Sequence, residues 1–294
     1  MKYAWIKEQL DAGVFPVKAM CAALEVSRSA FYEWRAEPVR KRQAYRDALA
    51  ARIEQVQRET RGVYGSPRVT AELRARGEVA CCENTVAKVM RERQIRAKTA
   101  RRFVPSTTDS RHDRPVAPNV LDRQFDAARP DRKWATDITY VPTDQGWLYL
   151  AGVIDLCSRR IVGWSMADHM RTDLVADALR MALSSRSPGD GDGGDGLLHH
   201  SDRGVQYASD AYQALLKANG MTCSMSRVGD CWDNAVIESF WGTLKAELTD
   251  HERYATREQA RASIFEYVEV FYNRVRRHSS LGYVSPEQFE AALN

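Results

Sequence analysis

The sequence lacks any long hydrophobic run. Its longest unbroken apolar stretch, residues 147–154, stops at Asp155, far short of the ~20 apolar residues that a membrane-spanning helix needs. The first fifteen residues, M-K-Y-A-W-I-K-E-Q-L-D-A-G-V-F, carry a charge at every third or fourth position and have no apolar core, so a signal peptide is not expected either. Cysteine is sparse. Its six occurrences contain no C-x-x-C pair and no matching histidine spacing, which argues against a zinc site and for reduced thiols in the cytoplasm. Low-complexity sequence is confined to the Gly/Asp-rich residues 189–196, and no internal repeat is visible. What is present is globular: 294 residues, 44% of them apolar, exclude a disordered or fibrous chain and suit about two domains.

Net charge is also small, at +4, but it is unevenly spread. Cut within the proline-punctuated residues 105–118, the chain carries +10 over residues 1–115 and −6 over residues 116–294. A basic first part suggests a module that binds a polyanion, joined to a part that concentrates carboxylates.

Pro16 followed by Val17, Met20, Ala23 and Leu24 predicts a short helix, and Ser27 can cap a second one ending near Arg35. Two such helices fit either a helical hairpin or a helix-turn-helix; in the latter Arg28, Ser29 and Tyr32 would face the major groove. A long polar helix over residues 39–59 precedes a second such unit, with Ser66 expected as N-cap, Pro67 at the first helical position, Gly77 as terminator and a last helix opening at Glu83-Asn84. Residues 88–102 add Lys88, Arg91, Arg93, Arg96, Lys98, Arg101 and Arg102 against Glu92 alone, a run suited to phosphate contact. The expected division is residues 1–38 and 39–104 as helix-turn-helix-like segments, 105–128 as linker, and 129–294 as a catalytic domain with a helical tail.

From residue 133 the period changes. Residues 133–141, 147–155 and 160–167 read as a three-stranded meander, followed by a helix over 172–185, a strand over 197–200, a helix from Ser209 to Asn219, a strand over 221–226, and helices over 234–248 and 256–274. The order β-β-β-α-β-α-β-α is that of an α/β, ribonuclease H-like fold behind all-α DNA-binding segments. Three acids stand out within it. Asp137 interrupts an apolar strand, where a carboxylate is costly; Asp202 follows the fourth strand; Glu238 sits on a helix beside large apolar side chains. Three oxygen ligands without a His/Cys set select Mg²⁺ or Mn²⁺, and two such ions support in-line phosphoryl displacement. Lys245, two helical turns after Glu238, returns to the same face and could hold a phosphate.

These residues resemble a known family. Thirty-five residues separate Asp202 from Glu238 and 64 separate Asp137 from Asp202, and W-A-T-D-I-T-Y, H-S-D-R-G-V-Q-Y, D-N-A-V-I-E-S-F-W-G-T-L-K-A-E and Y-N-R-V-R-R-H-S-S-L-G-Y-V-S-P-E-Q-F follow in order. The pattern is similar to the DDE core shared by retroviral integrases and bacterial insertion-sequence transposases, in particular the second-reading-frame (OrfB-type) proteins; Y-G-S-P-R at Tyr64 resembles the helix-turn-helix-like domain preceding that core. The resemblance implies a transposase that nicks the ends of its mobile element and joins the freed 3′-hydroxyl to target DNA, with Asp137, Asp202 and Glu238 as catalytic metal ligands. It implies double-stranded DNA as partner (terminal inverted repeats and target), a homo-oligomer on paired ends, and an upstream-frame subunit or frameshift fusion, acting in the cytoplasm on the nucleoid.

Two other classes share part of the pattern: a ribonuclease H-like structure-specific nuclease, which needs no basic N-terminal half, and a non-catalytic DNA-binding regulator, against which the intact acids argue. Asp155 has two readings, a fourth site carboxylate lying nearly opposite Asp137 or the organiser of the turn before Ser158. Trp134, Trp147, Trp164 and Trp241 are expected in the core. Arg276 and Arg277, with Arg274 and His278, are expected to grip DNA backbone or, for the first two, to cap the last long helix.

Overall fold

The β-branched and aromatic residues of 133–167 form three antiparallel strands, β1 (Lys133–Thr143), β2 (Gly146–Asp155) and β3 (Ile161–Ala167). The computed structural model describes residues 1–36, 41–77, 81–99, 115–186, 196–227 and 231–293. Two short strands, β4 (Leu198–Ser201) and β5 (Thr222–Met225), complete a five-stranded sheet of order β3-β2-β1-β4-β5 in which β4 runs parallel to β1 and β5 parallel to β4. An antiparallel meander extended by parallel strands is the ribonuclease H-like arrangement.

Helices cover both faces. α7 (Thr172–Ser185) and α8 (Asp210–Ala218) bury Leu174, Leu179, Tyr212 and Leu216 against one; α9 (Ala235–Glu247) and α10 (Arg257–Phe265) bury Ile237, Phe240, Leu244 and Ile264 against the other. The expected single helix over 256–274 changes character at Glu266 and continues to Tyr272 as a π-helix. Its wider turn delivers Asn273 to the open edge of β3, where the side chain accepts from Ile161 N–H and donates to Ile161 C=O, each at 3.0 Å. Trp147, expected in the core, is 47% exposed and lies against Tyr140.

The N-terminal residues form three helices rather than two: α1 (Lys2–Asp11), α2 (Val17–Ala23) and α3 (Arg28–Ala36) enclose Ile6, Met20, Cys21 and Phe31. Glu25 makes the turn between α2 and α3 in the left-handed region, at φ 52°. In the second unit, α4 (Lys41–Glu59), α5 (Ser66–Ala75) and α6 (Glu83–Glu92) share one apolar cluster with the sheet. Gly65, not Ser66, is the N-cap of α5. Residues 118–121, expected within a linker, lie along β5: Ser224 Oγ accepts from the N–H groups of Val120 and Leu121 at 2.9 and 3.1 Å. The Gly/Asp-rich residues 189–195 lie outside the described residues, as do Arg101 and Arg102. Among the described residues no helix is long and apolar enough to cross a membrane.

Candidate active site

The parallel pairing of β1 with β4 sets Ala135 beside His200. Asp202 follows β4 just beyond that pairing, at the turn after Ser201, close enough to Asp137 within β1 for its charge to act on the Asp137 carboxyl. Asp202 is steadied there by its own turn, Oδ1 accepting from Gly204 N–H at 2.9 Å. A Cβ on Gly204 would lie 3.0 Å from that oxygen and 2.9 Å from Gln206 Oε1, so the turn favours the smallest residue.

Helix α9 brings the third carboxylate. Its start is pinned to β1 by Asn234, whose amide donates to Thr136 C=O at 3.0 Å, and to the chain around it by Asp233. That buried carboxylate accepts from Arg227, Arg123 and Asn119. The Arg227 hydrogen bonds, more than any other contact, hold its pKa far below the usual carboxylate range. Further along, the Trp241 ring crosses the sheet above Gly152, where a Cβ would come within 2.7 Å of it. Trp241 Nε1–H then donates to Asp137 Oδ2 at 3.1 Å. A tryptophan that sequence alone assigns to the core is therefore also the residue that orients the strand carboxylate, and Gly152, paired with Asp137 across the β1–β2 ladder, makes room for it. The missing signal was the pairing itself.

Electrostatics ties the acids together. Burial above all, then the charges of Asp202 and Glu238, push the Asp137 carboxyl well up, against the pull of Ile138 N–H and Trp241. Glu238, exposed on α9, is also raised, by desolvation and then by Asp202. Lys245 lies over the Tyr140 ring at 5.4 Å; burial lowers its pKa, while Asp250 and Asp137 oppose that. The two short-range facts, mutual repulsion of three carboxylates and a lysine that feels Asp137, describe a site that an oxygen-loving cation would stabilise. Among the described residues, no group of three or more His, Cys, Asp or Glu is close enough together to hold a metal ion as the side chains stand. The donor chemistry fits a hard divalent ion, whose charge would remove the repulsion.

Asp155 is not opposite Asp137: the register pairs it with Trp134. It accepts from Cys157 N–H, Ser158 N–H and Asp131 N–H at 2.9, 2.8 and 2.7 Å, which makes it the organiser of the β2–β3 turn. His199 and His200 are buried and pack inside the sheet, His200 against the hydroxyls of Ser224 and Ser226.

Arg28, Ser29 and Tyr32 share the exposed side of α3, opposite buried Phe31. Arg91 and Arg96 are exposed and line a hollow of about 280 Å³ beside Ser66. Arg93 is paired with Asp47, and Lys98 reaches Glu247 C=O at 3.5 Å. Arg276 and Arg277 require a correction, because neither is a freely exposed cation: both are paired with glutamates. Arg276 is 4% exposed and fully engaged by Glu247, with contacts of 2.7 to 3.0 Å; Arg277 donates to Glu72 and to Tyr283 C=O. Their partners lie on distant segments, so nothing in the local charge pattern could reveal them.

Sheet order, with one acid within β1, one just after β4 and one on α9, defines an integrase-type catalytic core. Residues 127–231 match the integrase core domain family, 219–286 match a second integrase core domain family, and 44–103 match an HTH-like domain family. The transposase InsF of insertion sequence IS3A from Escherichia coli K12 is 45% identical over 99% of this chain and 98% of its own length. The 31 kDa protein of insertion element IS600 from Shigella sonnei is 42% identical over 92% of this chain and 97% of its own. Among solved structures, the HTLV-2 integrase catalytic core in complex with magnesium aligns with 56% of this chain and 99% of that one at 15% identity and a TM-score of 0.42. The chain belongs to the insertion-sequence transposases with an integrase core. It is thus a polynucleotidyl transferase of the DDE type acting in DNA transposition.

Proposed function

We propose that this transposase nicks the terminal inverted repeats of its element and transfers the freed 3′-hydroxyl to a target phosphodiester, with Asp137, Asp202 and Glu238 as the catalytic carboxylates. The observation that supports this most directly is the raised Asp137 carboxyl, driven by burial and by the other two acids, which leaves three repelling charges in need of a cation. The three would hold two Mg²⁺ or Mn²⁺ ions, which when bound activate a water or 3′-hydroxyl and stabilise the leaving oxygen. Trp241 keeps Asp137 turned toward that position, and the Gly204 N–H does the same for Asp202. Lys245 neutralises a non-bridging phosphate oxygen beside Asp137. Arg28, Ser29 and Tyr32 read the end sequence, and Arg91, Arg93, Arg96, Lys98, Arg101 and Arg102 contribute backbone charge. The enzyme works as a homo-oligomer on paired ends in the cytoplasm, alone or with an upstream-frame subunit.

Asp202→Asn tests the mechanism. Removing a metal ligand should lower Mg²⁺-dependent nicking and joining by more than about a hundredfold while end binding, followed in a gel or by anisotropy, stays within about twofold, because phosphate contacts made elsewhere supply it. Full activity in the variant would overturn the assignment. Hydrolysis without joining, on every end sequence tried with the wild type, would favour a nuclease instead.

A further inference from the structure

A cavity of about 310 Å³ opens where the second helical unit, the sheet and the C-terminal tail meet. Positions 235, 236, 239, 240 and 243 of α9 line it, on the flank of the helix roughly opposite the one that carries Glu238, Trp241 and Lys245. Gly242, between the two flanks, and Ser239, in the cavity wall, are both exposed, so the path from cavity to acids runs over open helix surface about one helix width, roughly 10 Å, across.

The cavity is overloaded with positive charge. Arg68 from α5, Arg159 from the β2–β3 turn and Arg276 from the tail all reach it. Arg68 and Arg276 share one carboxylate, Glu247, at 3.7 and 2.7 Å. Arg159 meets no carboxylate among the described residues, although its neighbour Arg160 is paired with Glu290 at 3.0 Å. His278, also in the wall, adds no charge: burial first, then Arg276, Arg68 and Arg159, hold its pKa far below the usual histidine range. Ser239 and Thr243 add hydroxyl donors.

Arg159 is also held in place at a cost. Its φ of 61° is left-handed, a conformation that a residue with a Cβ adopts only when its surroundings enforce it. The enforcement comes from buried Asp155, which accepts from the Cys157 and Ser158 amides while its own carbonyl accepts from Arg159 N–H at 2.9 Å. A strained turn braced by a buried carboxylate thus presents an uncompensated guanidinium to a cavity with hydroxyls on its other wall.

We propose that this cavity is a phosphate site that seats one phosphodiester of the DNA strand led across α9 to Asp137, Asp202 and Glu238, with Arg159 as its principal ligand. The inference rests on the transposase reading and adds to it the groove by which the strand approaches. Arg159 is a positioning residue here; it touches the strand away from the reacting bond.

The test uses the full chain, a fluorescent duplex of mixed sequence and anisotropy across a KCl series, with inorganic phosphate as a separate probe. Arg159→Gln should weaken duplex binding several-fold and reduce the slope of log K against log salt by about 0.9, one phosphate contact. Arg159→Lys should restore the slope. Ser239→Asp, which puts a negative charge in the wall, should weaken binding at least as much. Arg159→Gly should melt no lower than the wild type, since it relieves the left-handed strain, yet bind DNA as poorly as Arg159→Gln; that split separates a ligand from a fold defect. Unchanged affinity and slope in both Arg159→Gln and Ser239→Asp, with the wild type binding normally, overturns the cavity's assignment alone. Wild type that binds no duplex overturns the underlying reading and the strand with it. Phosphate that raises the melting temperature of wild type but not of Arg159→Gln, with duplex binding unaltered by the substitution, shows a free-anion site and overturns the strand.

Discussion

The two helical units ahead of the sheet differ in charge, +1 over residues 2–36 and +7 over residues 41–99, and are held together in opposite ways. Residues 2–36 close on themselves: Ile6, Val17, Met20, Cys21 and Phe31 form a core to which, among the described residues, only that segment contributes. The unit of α4, α5 and α6 has no such independence. Its Leu49, Ile53, Val69 and Val86 belong to the same cluster as Leu150, Phe240 and Tyr267 of the catalytic core, and Arg61–Glu266, Arg68–Glu247 and Arg277–Glu72 stitch it there. Several of its cations therefore bind carboxylates rather than phosphates. A positive sum in sequence overstates the charge left for DNA, and the first unit, with Arg28 and Tyr32 exposed, is the freer reader.

The comparison breaks most sharply at Glu247. It is buried and accepts from Arg276 and from Tyr267 at 2.8 Å, with Arg68 nearby. Glu247→Ala strands a buried guanidinium, a loss of about 3–5 kcal/mol. Urea unfolding should register that loss for the catalytic core and the second unit in one transition, while hydrogen exchange at the Ile6 and Phe31 amides stays unchanged. Two separate transitions for α4–α6 and the sheet would show that the shared cluster does not couple them.

Acid should divide the molecule along the same line, since all six histidines follow residue 99. Burial drives His199 down to about 3 and His200 down to about 4. Both fold neutral, and the unfolded chain takes up their protons near 6.5, so stability is whole above that pH and falls as pH drops toward 4. His200 alone accounts for about 3 kcal/mol at 1.36 kcal/mol per unit. Ser224 Oγ already accepts two backbone N–H groups, so its own proton goes to His200 Nδ1; protonating that nitrogen breaks the contact. Asp137 acts with the opposite sign, because its raised carboxyl is relieved of repulsion on protonation. The urea midpoint of the core should fall between pH 7 and 4, less steeply in His200→Gln, with the residue 2–36 unit almost indifferent.

How legible all this was depended on the range of the interaction. The meander, β4, α7 and α8 follow local periodicity and caps, and Ser209 caps α8 as its sequence suggests, accepting from Tyr212 N–H at 3.3 Å. The acids stood out because a carboxylate within an apolar strand is costly. α1 escaped notice because its sequence has one fully buried side chain, Ile6, and no helix-start signal. Trp241 read as core, and is, but its Nε1–H bond to Asp137 and the space left by Gly152 depend on packing across 104 residues. Arg276 and Arg277 misled for the same reason: charge suggests surface until a glutamate from another segment, Glu247 or Glu72, is found beside it.

The smallest of these tests is the most local. Tyr64, on the second unit, is fully buried, and its hydroxyl links that unit to the tail of the catalytic domain by accepting from Arg277 N–H at 2.8 Å and donating to Val275 C=O at 3.2 Å. Tyr64→Phe keeps the ring, over which Arg68 lies at 6.0 Å, and deletes only the bridge. The unpaired N–H and C=O should cost about 1–2 kcal/mol, read as a lower urea midpoint with an unchanged m-value, since no additional surface is exposed. The substitution removes no charge and no apolar contact, so a loss of that size locates part of the coupling in a single hydroxyl between the second unit and the tail. An unchanged midpoint would place it wholly in the shared apolar cluster and the ion pairs, and make the polar seam incidental.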